Sequence, residues 1–419
     1  MRKQILGFLL IGTIFLLFGC GTKEAEQLPS ESVSIVVATD LHYLSPELTD
    51  RGEAFLEFMK DGDGKVGHYI EEITDAFIAE LTESKPDYLI LSGDLTFNGA
   101  VKSHEDLIEK LKQLQENGIQ VLVIPGNHDV DSYYAASFLS GSTQKADALT
   151  SAEFAEIYRE FGVEQAISRD SATFSYCIQA AEDLRIILLD ANSYGIGYLK
   201  DVTLTWLERE LQQAQEAGDR VITVSHQNLY AHNRQLSFGY QLYNANDLKE
   251  LLEKYSVLCH LSGHIHAQSI VNGSVPEIVT SSLAVSPIQY GVLEYTDEFL
   301  SYNVAQVDVS GWAEATGSPD PNLLDFSQYA QNYFKDNCRR QVREMFTDSD
   351  LTEAEIELLA QTFAELNQDY FAGENPDYEK LKQGIGLWNE QDGTFLHSYI
   401  KTIIGTNPNR RSLTLSWEN

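Results

Sequence analysis

Ser34-Ile-Val-Val-Ala-Thr-Asp-Leu-His42 joins a β-branched apolar run to two side chains able to hold a metal, and four more apolar runs end at one or more such side chains. They are Asp87-Tyr-Leu-Ile-Leu-Ser-Gly-Asp94, Val121-Leu-Val-Ile-Pro-Gly-Asn-His-Asp129, Val221-Ile-Thr-Val-Ser-His226 and Ser256-Val-Leu-Cys-His-Leu-Ser-Gly-His-Ile-His266. Apolar runs of this length, without polar alternation, read as strands buried on both faces; Leu184 to Leu189 is a sixth. Between them lie stripes of helical period: Ile70, Ile73, Phe77 and Leu81; Leu107, Leu111 and Leu114; Leu204, Leu207, Leu211 and Ala214. Each stripe is a face that packs on a sheet, so the pattern predicts a layered α/β domain. Past His266 the runs Glu277 to Thr280, Gly291 to Tyr295 and Asn303 to Val309 follow without helices between them, predicting a second, mostly antiparallel sheet.

Thr316 to Asn322 carries Gly317, Pro319 and Pro321, and beyond it the period is helical throughout. Thr352 and Glu355 stand in capping-box register ahead of Ile356, Leu359, Phe363, Leu366 and Tyr370 on one face. The expected organisation is a large layered domain over residues 32–315 and a small all-helical C-terminal domain over 322–419, with cap and simple packing unit as its two readings. At the other end, Arg2 and Lys3 precede an apolar run from Ile5 to Phe18, then Gly19 and Cys20. That run falls short of the roughly 20 apolar residues a spanning helix needs, so residues 1–19 read as a signal peptide. A cysteine after a small residue resembles a bacterial lipobox. Lipidated Cys20 would tether the protein to the outer face of the cell membrane through residues 20–31, against the alternatives of plain secretion or an uncleaved anchor.

The remaining cysteines, Cys177, Cys259 and Cys338, are odd in number and unpaired in spacing, so no disulfide framework is implied. The chain carries 29 Lys and Arg against 63 Asp and Glu, a net charge of −34, with no basic run to form a groove. Such a surface repels duplex nucleic acid.

Taken singly, Asp40 and His42, Asp94, Asn127, His226, or His264 and His266 would each pass for turn chemistry. Together they place carboxylate, imidazole and amide oxygen at five strand ends, where open α/β sheets hold their ligands. That donor mixture, with few thiolates, suits a pair of borderline divalent cations. Gly93, Gly126 and Gly263 leave the backbone room beside them.

The order Asp-x-His, Gly-Asp, Gly-Asn-His-Asp, lone His and Gly-His-x-His resembles the calcineurin-like metallophosphoesterase superfamily, over roughly Val33 to Val309. The resemblance implies two central mixed sheets flanked by helices, and a centre of two transition-metal ions (Mn, Fe, Zn or Co). Asp40, His42 and His266 would hold the first ion, Asn127, His226 and His264 the second, and Asp94 would bridge them. His128, oriented by Asp129, would stand over the phosphate and assist the leaving oxygen. In-line attack by a metal-held hydroxide is the implied reaction.

No Asp-Arg-Gly follows Gly93-Asp94, which disfavours the protein Ser/Thr phosphatases, and Phe97 stands where purple acid phosphatases place a ligating Tyr. What remains resembles the bacterial cyclic-nucleotide phosphodiesterase-like branch, with a small phosphodiester as substrate. Two alternatives compete: an extracytoplasmic phosphomonoesterase or nucleotidase, and a surface-anchored binding protein without turnover. Asp190 and Asn192 read as turn residues, and His68 and His260 as cap or core. Tyr43, His68 and Asn98 are candidates to line the pocket.

Overall fold

The computed structural model describes residues 32–60, 62–404 and 410–417. The signal peptide, Cys20 and tether expected over 1–31 lie outside the described residues. None of the described helices is long and apolar enough to cross a membrane.

In chain order the strands are β1 Val33–Ala38, β2 Tyr88–Leu91, β3 Gln120–Val123, β4 Ala136–Leu139, β5 Ser142–Lys145, β6 Ser168–Arg169, β7 Tyr176–Ala181 and β8 Leu184–Leu189. They continue with β9 Arg220–Ser225, β10 Cys259–Ser262, β11 Ser269–Val271, β12 Glu277–Val279, β13 Gln289–Tyr295, β14 Phe299–Gln306 and β15 Ser412–Ser416. One sheet has the order β15-β14-β13-β1-β2-β3, the other β11-β12-β10-β9-β8-β7-β6. Both are mixed. β1, β2 and β3 are parallel and β13 runs antiparallel to β1. In the second sheet β8, β9, β10 and β12 are parallel, with β7 and β11 antiparallel beside them.

The all-apolar runs are explained by burial on two sides. Along β8, Ile186 and Leu188 face the core shared by the two sheets, while Ile187 and Leu189 face an outer layer with Trp206, Leu207 and Leu211 of the Asp201–Ala217 helix. Strand residues alternate sides by construction, so both sets must be apolar.

The C-terminal helices form a core of their own, in which Phe334, Leu359, Phe363 and Trp388 pack with Ile265, Ala267, Val279 and Val285. The predicted capping box is present: Glu355 N–H donates to Thr352 Oγ1 at 3.3 Å and Thr352 N–H to Glu355 Oε2 at 2.8 Å. Two details depart from the sequence reading. The last antiparallel run stops at Gln306, and Asp308 accepts the N–H of Gly311 at 2.8 Å, opening a helix at Val309 instead. The C-terminal region is also not purely helical, because β15 pairs with β14 and extends the first sheet.

Candidate metal centre

Five parallel strands deliver the seven residues. β1 ends before Asp40 and His42, β2 before Asp94, β3 before Asn127, β9 before His226 and β10 before His264 and His266. Three strand ends come from one sheet and two from the other, so the site lies where the rims of the two sheets meet.

Backbone strain concentrates there. Asp40, His42, Asp94, His264 and His266 all have φ between 48° and 70°, the left-handed region that costs a residue with a Cβ about 1 to 3 kcal/mol. The neighbouring glycines explain how the chain comes so close. A Cβ on Gly126 would lie 2.2 Å from both Asp94 N and Asp94 Oδ1, and one on Gly263 would lie 2.0 Å from Thr39 Oγ1 and 2.7 Å from Asp40 Oδ2.

Two donor groups result. Asp40, His42, Asp94 and His266 each offer an atom within 4.8 Å of the others, and so do Asp94, His226 and His264. Asp94 belongs to both. His42 Nε2 lies 3.2 Å from His266 Nε2, and His266 Nε2 lies 3.2 Å from Asp40 Oδ1. His226 Nε2 lies 3.3 Å from Asp94 Oδ1. The outward nitrogens are held from behind: His226 Nδ1 by the Ser92 carbonyl at 2.9 Å, His264 Nε2 by the Gly239 carbonyl at 2.9 Å, and His266 Nδ1 by Asp63 Oδ2 at 3.3 Å. Backing of this kind fixes tautomer and ring orientation in metal-binding imidazoles.

The residues fit a pair of cations. Asp40 Oδ1, Asn127 Oδ1 and His226 Nε2 are buried without a hydrogen-bond partner among the described residues, a costly state for polar atoms unless a further ligand satisfies them. Burial pushes His264 down to about 4 and, with Lys65 nearby, holds His42 well below its ordinary value, leaving both with a lone pair to donate. Burial would raise the carboxyl of Asp94, but the imidazoles of His226 and His128 hold it well below the usual range. His226 goes the other way: burial opposes its charge, yet Asp94 and Asp40 lift it to about 9, so the two carboxylates draw positive charge to this point.

His128 stands outside both groups, with a side chain 40% exposed and Nε2 3.9 Å from Asp94 Oδ2. Its orientation corrects the sequence expectation. His128 Nδ1 donates to the Phe97 carbonyl at 2.8 Å, and not to the Asp129 carboxylate. Asp129 instead accepts from Gly126 N at 2.7 Å, Leu95 N at 3.0 Å, Thr96 N at 2.9 Å and Thr96 Oγ1 at 3.0 Å, tying the loop after β2 to the loop after β3. Burial and the Asp94 charge raise its carboxyl to about 6.

Among the secondary candidates, Asp190 and Asn192 are buried turn residues, with Asp190 accepting from the N–H groups of Phe174, Asn192 and Ser193. His260 is a core residue bonded to Thr223 and Ser225. His68 meets Tyr329 of the C-terminal region, and Tyr43 is buried. Asn98 does line a cavity. That cavity, about 290 Å³, also involves His42, Phe58, Phe97 and His128, while a larger one of about 450 Å³ has the metal-ligand candidates on one side and Asn337, Phe363 and Tyr399 of the C-terminal helices on the other. Asp63 and Lys65 were missed by sequence reasoning; an acidic glycine-bearing turn gives no signal of facing a site.

Residues 33–268 match the sequence model of the calcineurin-like phosphoesterase family, and residues 308–408 match that of the C-terminal domain of cyclic nucleotide phosphodiesterase. Among curated proteins, a probable cyclic nucleotide phosphodiesterase of Vesicomyosocius okutanii is 36% identical over 61 residues, 15% of this chain and 25% of its own length. A probable glycerophosphodiester phosphodiesterase of Arcobacter nitrofigilis is 29% identical over 195 residues, 44% of this chain. The match spans 58% of that relative, so both curated relatives are covered over less than two thirds of their length. Among solved structures, a dimetal phosphatase from Danio rerio superposes with a TM-score of 0.47 at 12% identity, over 66% of this chain and 96% of the other. The purple acid phosphatase of yellow lupin superposes with a TM-score of 0.42 at 13% identity, over 67% of this chain and 52% of the other.

Proposed function

The chain belongs to the calcineurin-like phosphoesterase family, and from that premise we propose that it is a metal-dependent phosphodiesterase acting on small diesters, cyclic nucleotides among them. The observation that carries the reading is the pair of donor groups sharing Asp94, with unsatisfied buried donor atoms in each. Asp40, His42 and His266 would hold one cation, Asn127, His226 and His264 the other, and Asp94 both. Two such cations supply a nucleophile at neutral pH and neutralise charge on the phosphoryl oxygens.

The chain's own residues account for the rest. The Phe97 carbonyl holds Nδ1 of His128, so Nε2 is the atom at which a proton would be kept for the leaving oxygen. The C-terminal helices wall the larger cavity, and its 450 Å³ suits a small ester. Support for a diester comes from the names of the two curated relatives and from the match of the C-terminal region. The test is turnover of bis-p-nitrophenyl phosphate against p-nitrophenyl phosphate with Mn²⁺ added, followed by a panel of cyclic nucleotides and aliphatic diesters. At least tenfold preference for the diester is expected; equal rates or monoester preference would sink the assignment.

A further inference from the structure

We propose that Lys65 binds the phosphoryl group of the substrate, and that the C-terminal region contributes to the active site by holding the loop that presents it. The inference rests on the phosphoesterase reading above. Lys65 is buried to 9% exposure, and, with His128, it lines both cavities beside the metal-ligand candidates. Among the described residues lining either cavity it is the only lysine or arginine. In a chain of charge −34, that is where an anionic ester meets a fixed positive side chain.

Its bonding leaves it available. An ammonium carries three N–H donors, and among the described residues the one partner of Nζ is Asp63 Oδ2 at 2.9 Å. Asp63 is also the carboxylate behind His266 Nδ1, so the cation is fixed relative to a metal-ligand candidate through one intervening side chain.

The loop is fastened on both flanks. Asn337 Nδ2, on the Phe326–Met345 helix, donates to the carbonyls of Lys60 and Gly62, both at 3.1 Å, and Arg340 of the same helix donates to the Lys60 carbonyl. Gly64, at φ 82°, lies so close under Phe334 that a Cβ would come within 2.7 Å of its ring. On the far side Lys65 forms a backbone bridge with Val285, and Val66 N–H donates to the Ala284 carbonyl at 2.7 Å. The Phe326–Met345 helix on one side and Ala284 and Val285 on the other thus fix the segment that carries Lys65.

The experiment compares wild type, Lys65→Met and Lys65→Arg after metal loading, by metal content, by calorimetric affinity for inorganic phosphate and by kcat and KM on bis-p-nitrophenyl phosphate. Lys65→Met is expected to keep its metals, bind phosphate about 10- to 100-fold more weakly and lose at least as much in kcat/KM, the loss of a charge-assisted hydrogen bond. Lys65→Arg should recover most of the affinity. Phosphate affinity within twofold of wild type in metal-replete Lys65→Met would overturn the proposal. Lys65→Gln, which keeps a polar end beside Asp63, gives the same comparison if Lys65→Met fails to fold. A metal-loaded wild type that hydrolyses neither ester would sink the diesterase reading, while phosphate affinity would still decide the role of Lys65.

Discussion

Replacing Gly126 by alanine adds a single methyl group at the point where the two sheets bring their ligands together. The new Cβ would sit 2.2 Å from Asp94 N and from Asp94 Oδ1, and 2.9 Å from Asp94 Cα, where ordinary contact begins at 3.4 Å. Relieving this takes a displacement of roughly 1 Å in a carboxylate common to both donor groups, and misplacement by that amount costs on the order of 100-fold in rate. Gly126 N–H also donates to Asp129, so moving Gly126 breaks the tie between the two loops instead of sparing Asp94. Overpacking adds a stability cost of about 1 to 3 kcal/mol. Gly386→Ala is the control: that helical glycine has nothing within 4 Å of its would-be Cβ, and the change should be neutral or stabilising by about 0.5 to 1 kcal/mol. Metal content by elemental analysis, bis-p-nitrophenyl phosphate turnover and urea unfolding are measured on both variants. Gly126→Ala with a full complement of metal and wild-type turnover would refute the reasoning.

His128→Ala should retain metal, because His128 lies outside both donor groups, and should lose about 10²- to 10³-fold in kcat as expected of a lost proton-transfer group; unchanged kcat would remove it from the reaction. Burial pushes His104 down to about 3 and His260 down to about 4. An unfolded histidine takes up its proton near pH 6.5 while these stay neutral in the folded state, so stability is complete above that pH and is lost progressively as pH falls toward their folded values. Each contributes a slope of about 1.4 kcal/mol per pH unit between pH 6 and 5, and urea midpoints of His260→Gln should fall less steeply with acid than wild type; parallel profiles would contradict this.

What could be read from the sequence was what the strand ends announce. A buried strand needs a continuous apolar run, and polar residues directly after it stand out; all seven metal-ligand candidates carried that signal. The capping box was legible for a similar reason, since both partners lie within one turn. What escaped notice depends on contacts distant in sequence. Ser412-Leu-Thr-Leu-Ser416 alternates as a strand should, but becomes one only by pairing with Phe299–Gln306. His128 is oriented by a backbone carbonyl, which every residue possesses, so no side chain in the sequence marks Phe97 for that role. The position of Asp129 next to His128 suggests a partner for that ring, whereas four donors converge on it from loops that only folding brings together.

Ile265 sits between two metal-ligand candidates and buries its side chain in the core of the C-terminal helices. During synthesis on the ribosome the seven candidates have all emerged once His266 is clear, yet the surface that seats Ile265 is not translated until Phe334, Leu359 and Trp388 follow. The nascent chain therefore carries its full set of ligands before Ile265 can meet that surface. The seat of Ile265, between His264 and His266, is thus completed by helices that follow it in the chain.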